Sequence, residues 1–123
     1  MKKILAILLF SLLFPLVGFS ETWTMTTSVP HIWTITFTKT GGTPPNEQFN
    51  FTGSDGKYES SGTATLVTNT DGYFYIYYTS NSGGLLCDFI GQKTSTNTAE
   101  GRQICPGNPT FGYYGSWTAV LSN

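Results

Sequence analysis

The stretch "TWTMTTSVPHIWTITFT", Thr22 to Thr38, alternates large apolar and small polar residues in two runs separated by a Val-Pro break. A helix would scatter Trp23, Met25, Trp33, Ile35 and Phe37 over every face. A strand, with its period of two, gathers them onto one. The same rhythm returns in "EQFNFTG", "YESSGTATLV", "DGYFYIYYTS", "GLLCDFIGQ", "NTAEGRQIC" and "GSWTAVLS", which predicts about eight strands. Between them lie "TGGTPPN", "GSDGK", "NTDG" and "TSNSGG", whose Asn, Asp and Gly residues tolerate the positive φ of tight hairpins. Short strands joined by hairpin-length links predict an all-β fold, a small antiparallel up-and-down barrel. A two-sheet β-sandwich is the alternative, since only barrel closure removes both sheet edges.

Residues 1–20 stand outside this pattern. "MKK", then "ILAILLFSLLFPLV", then "GFS" is the layout of a secretory signal peptide with cleavage after Ser20. It predicts a secreted or periplasmic, bacterial-looking protein whose mature chain, residues 21–123, forms one domain without a membrane span. That chain holds four cationic side chains against seven carboxylates, a net of −3, with no basic block. Nucleic acid, which needs clustered Lys and Arg, is excluded as a partner. Two cysteines in an exported chain predict a Cys87–Cys105 disulfide. Its loop of about 19 residues is worth roughly 3 kcal/mol in the chain-entropy account.

A Trp-Thr strand near the start of the mature chain ("TWTMT") and another at its end ("GSWTAVL") give it a resemblance to the calycin-type barrels, such as avidin-like and lipocalin-like proteins. The resemblance implies a ligand-binding or protein-inhibiting barrel. No functional residue is carried over from it.

The run Tyr73 to Tyr78 is bulky on both faces, and the turn before it decides which side is which. In "NTDG", Asn69, Asp71 and Gly72 suit a type I turn with a glycine bulge, a three-residue loop. That loop pairs Asn69 with Tyr73, Val67 with Tyr75 and Leu66 with Ile76, and a two-residue loop would invert the partnering. The expected inward set is Gly62, Ala64 and Leu66 with Phe74, Ile76 and Tyr78. Tyr73, Tyr75 and Tyr77 point outward. In "LLCDFIG" the cost of burying Asp88 turns Cys87 and Phe89 inward, leaving Leu86 and Ile90 beside the outward tyrosines. Val67, Tyr73, Tyr75, Tyr77, Leu86 and Ile90 form a candidate interface for a homodimer or protein partner.

Catalytic chemistry is poorly provided for. The one histidine, His31, begins a strand, no His/Cys cluster has zinc spacing, and no phosphate- or dinucleotide-binding glycine motif occurs. Asp55 and Asp71 are explained as turn formers. The expectation is a non-enzymatic binder without cofactor or metal, for a small apolar or aromatic ligand. Its candidate ligand-binding residues are Trp23, Trp33, Tyr78 and Trp117, joined by Phe111, Tyr113 and Tyr114 of the loop "CPGNPTFGYYGS". The alternative is a protein–protein module, such as a secreted hydrolase inhibitor or host-directed factor. Whether three tryptophans line a hollow barrel or fill a solid one is open at this point.

Overall fold

The computed structural model describes residues 21–28, 32–83, 87–104 and 115–122. Eight strands follow one another: β1 (Thr22–Thr27), β2 (Thr34–Thr43), β3 (Asn46–Ser54), β4 (Glu59–Thr68), β5 (Tyr73–Gly83), β6 (Asp88–Lys93), β7 (Thr98–Ile104) and β8 (Ser116–Leu121). Each pairs antiparallel with the next, and β8 returns to β1, so the sheet is a closed up-and-down barrel. Closure overturns the sandwich alternative, because the Trp-Thr strands at the two ends pair with each other. Trp23 lies opposite Leu121, and Met25 opposite Ala119.

Alternation places the core where the sequence put it. Trp23, Met25, Trp33, Ile35, Phe37, Phe49, Phe51, Ala64, Phe74, Ile76, Phe89, Ala99, Trp117 and Ala119 are all buried inside the barrel. Phe37 meets Phe49 and Phe89 edge to face at 6.3 Å, which lets rings from three strands share a narrow interior. The "NTDG" loop has the three-residue form. The Asn69 amide donates to the Tyr73 carbonyl at 2.7 Å, the Gly72 amide to the Asn69 carbonyl at 3.2 Å, and Gly72 has φ +90°. Val67 therefore faces Tyr75, and Leu66 faces Ile76.

The expected pairing fails farther along. A bulge shifts the register between Thr63 and Ala64, so Gly62 pairs with Asn81 instead of Ser80. Asn81 turns to the inner side, where its Oδ1 accepts a 2.7 Å hydrogen bond from the buried Ser60 hydroxyl. A bulge inserts one residue into one strand, and period-two reading carries no mark of it in "YYTSNSGG".

Outward positions on β1 to β3 are Thr22, Thr24, Thr26, Thr34, Thr36, Thr38, Asn50 and Thr52, paired in cross-strand rows. These polar rows are the reverse of the apolar outer band of a lipid-facing barrel. Among the described residues no helix is long and apolar enough to cross a membrane.

Candidate functional site

The barrel ends differ. One carries the β2–β3, β4–β5 and β6–β7 hairpins together with Glu21 and Leu121. A cavity of about 510 Å³ opens there. Its wall is carbon: Trp23 and Met25 from β1, Phe37 from β2, Phe49 from β3, Leu66 from β4, Phe74 and Ile76 from β5, and Ala99, Trp117 and Ala119 from β7 and β8. Ala99 and Ala119 lie opposite one another in the register, and two alanines side by side leave the room that larger residues would fill.

Trp117 forms one wall, and Gly91 explains its position. Gly101 is its cross-strand partner and Gly91 pairs with Gly101. A Cβ on Gly91 would lie 2.5 Å from Trp117 Cζ2, so the indole lies against bare backbone. Trp117 Nε1 donates to the Arg102 carbonyl at 3.1 Å, and its ring meets Phe74 at 5.9 Å and Phe89 at 6.4 Å. The wall is thus fixed by a hydrogen bond at one edge and rings on its other sides.

Charge is confined to the rim. Lys39 faces inward and its ammonium lies 3.2 Å from Glu47 Oε2 and 4.0 Å from Glu21 Oε2. Glu21 Oε1 accepts a 2.6 Å hydrogen bond from Trp23 Nε1, and the Lys93 ammonium stands over the Trp23 ring, 5.6 Å from its centroid. Asp71 lines the rim from the β4–β5 loop, where its Oδ1 accepts the Tyr73 amide at 3.1 Å. A larger concavity, of about 680 Å³, lies around the hydroxyls of Thr34, Thr36, Thr52, Ser54, Ser61 and Ser82. With no large apolar side chain in its wall it offers little to drive binding, so the smaller cavity is the candidate site.

Of the residues expected to bind a ligand, Trp23 and Trp117 line the cavity. Trp33 and Tyr78 face inward but are not part of its wall. Trp33 lies toward the opposite end, beside Gly53. Tyr78 packs on Phe51 at 5.0 Å and Phe89 at 6.2 Å. Phe111, Tyr113 and Tyr114 lie outside the described residues, and the strand ends they connect, Ile104 and Ser116, are at the end away from the cavity mouth. Sequence reasoning missed the rim residues Lys39, Glu47 and Lys93, having explained only Asp55 and Asp71, as turn formers. Their parity with Phe37, Phe49 and Phe89 carried the signal.

On the outer face Tyr73 and Tyr77 are exposed, and Tyr75 and Ile90 are half-buried in the same row of pairs. The Tyr75 hydroxyl donates to Asp88 Oδ2 at 2.8 Å, and burial together with that carboxylate pushes its pKa up to about 12. Burial, then the Asp88 charge, raises the Tyr78 phenol still further. Its hydroxyl is buried without a hydrogen-bond partner among the described residues. Leu86 and Cys105 lie outside the described residues, and so does His31. Cys87 is not a free thiol.

The class these features define is a closed eight-strand barrel with a one-ended, carbon-walled calyx and a charged rim. Comparison with protein families, with characterised proteins and with solved structures gives no match, so the chemistry of the calyx rests on its own geometry.

Proposed function

We propose that the protein is an exported, non-enzymatic carrier or sequestering protein that takes a small apolar or aromatic molecule into this calyx. The observation that supports it is the cavity itself. Its volume of about 510 Å³ falls within the roughly 300–1,000 Å³ typical of small-molecule sites. Its walls are carbon, and its charges stand only where the ligand meets water. A ligand burying about 300 Å² there gains roughly 7 kcal/mol at about 25 cal/mol per Å², before the cost of association. The resemblance to calycin-type barrels, export directed by residues 1–20 and a Cys87–Cys105 disulfide belong to the same proposal.

The test is fluorescence titration with phenylnaphthylamine, a neutral dye that brightens in apolar surroundings. The expected result is saturable binding of one dye per barrel, weakened in Ala119→Leu, whose added carbons narrow the calyx beside Ala99. Absence of saturable binding by the folded wild-type protein would refute the proposal. A second reading, a protein–protein module, draws on the exposed Tyr73 and Tyr77 beside Ile90. Self-association abolished by Tyr73→Ser with Tyr77→Ser would favour it.

A further inference from the structure

The rim residues are unequally satisfied. Each rim carboxylate already has a donor: Glu21 takes Trp23 Nε1 and Lys39, Glu47 takes Lys39, and Asp71 takes the Tyr73 amide. Lys39 stands between two of those carboxylates. Lys93 has no carboxylate partner among the described residues, and its ammonium is placed only over the face of Trp23. It belongs to the inward parity of β6, opposite Ala99, so its stem follows the calyx wall and its head reaches the opening. A cationic ligand group would have to share carboxylates that already hold Lys39, the Trp23 indole or the Tyr73 amide. An anionic one would find three ammonium donors unused.

We propose that the natural occupant is an aromatic amphiphile, an apolar ring system bearing one anionic group such as a carboxylate or sulfonate, seated rings-first with its anion on Lys93. The rings follow from the wall: Trp23, Phe37, Phe49, Phe74 and Trp117 offer faces and edges to a planar guest, and these orientation-dependent contacts add to area burial. The proposal rests on the calyx being the binding site and adds to it the charge and orientation of the ligand.

Two dyes with the same rings separate the two claims. Anilinonaphthalene sulfonate carries the anion, and phenylnaphthylamine lacks it. The sulfonate is expected to gain about three- to fivefold in affinity from Lys93, the worth of a partly exposed ion pair, and to lose that gain in Lys93→Met. The neutral dye should bind Lys93→Met and wild type alike. Raising the salt should weaken the sulfonate and leave the neutral dye unchanged. Neutral binding with no loss of sulfonate affinity in Lys93→Met would overturn the anion assignment and leave the calyx standing. Failure of both dyes, or sulfonate affinity unchanged in Ala119→Leu, would overturn both.

Discussion

Gly91→Ala is the sharpest test of how the calyx wall is held. The added Cβ would sit 2.5 Å from Trp117 Cζ2 and closer still to the Glu100 carbonyl oxygen, both inside any real Cβ contact. Overpacking of this kind costs about 1–3 kcal/mol. The indole cannot retreat sideways, because Phe74 and Phe89 meet it there. Its one escape is into the calyx, which breaks the bond from Nε1 to the Arg102 carbonyl for about 1 kcal/mol more. The total, about 2–4 kcal/mol, corresponds to a fall in Tm of roughly 10–30 °C for a domain of this size. Thermal unfolding followed by near-ultraviolet circular dichroism measures it, and dye affinity should fall too as the ring enters the cavity. Gly41→Ala is the control, since a Cβ there meets nothing within 4 Å and the backbone needs no positive φ. A Gly91→Ala protein melting within about 3 °C of wild type, with dye binding intact, would refute this account of the wall.

Three further outcomes are expected. Tyr75→Phe loses the hydroxyl bond to Asp88 and should destabilise by about 0.5–1.5 kcal/mol in urea unfolding. Tyr78→Phe removes a buried hydroxyl that has no partner among the described residues, and should be neutral or stabilising by about 1 kcal/mol. Both phenols have folded pKa values raised above the unfolded value near 10, so their contribution is complete below pH 10 and lost as pH rises. For Tyr75 the loss runs from there through about 12. Phenolate absorbance should therefore show these two ionising after the exposed tyrosines, with Tyr78 titrating only as the barrel unfolds. Lys39→Met leaves Glu47, with a side chain only 13% exposed, without its ammonium, and should cost about 1–3 kcal/mol in urea unfolding.

Much of the barrel was legible because one period governed it. Among the described residues, the buried apolar side chains were placed by parity, and a four-residue turn fixed the register of the tyrosine run. Parity carries no height along the barrel axis, however. Trp33 and Tyr78 point inward as truly as Trp23 and Trp117, yet the calyx is built at the end set by Glu21 and the β4–β5 loop. The bulge opposite Thr63 and Ala64 was hidden for a related reason: an extra residue changes the facing of everything beyond it, and Ser-Asn-Ser gives no apolar marker of the change. Gly91 carries no mark of its role in the alternation, while in the fold its missing side chain leaves the space the Trp117 indole occupies. Lys39 and Lys93 were visible in parity and passed over, since a charge on an inward position makes sense only at a strand end that opens to water.

The central claim, a ligand calyx at one end of the barrel, is tested most directly by the indole resonances. Proton–nitrogen correlation spectra give one side-chain signal for each of Trp23, Trp33 and Trp117. On titration with phenylnaphthylamine, the Trp23 and Trp117 signals should shift together and saturate at one dye per barrel, with the backbone amides of Phe74 and Ala99. Trp33, toward the far end, should stay in place. Shifts at Trp33, or at Tyr73 and Tyr77 on the outer face, with Trp23 and Trp117 unmoved, would contradict the account.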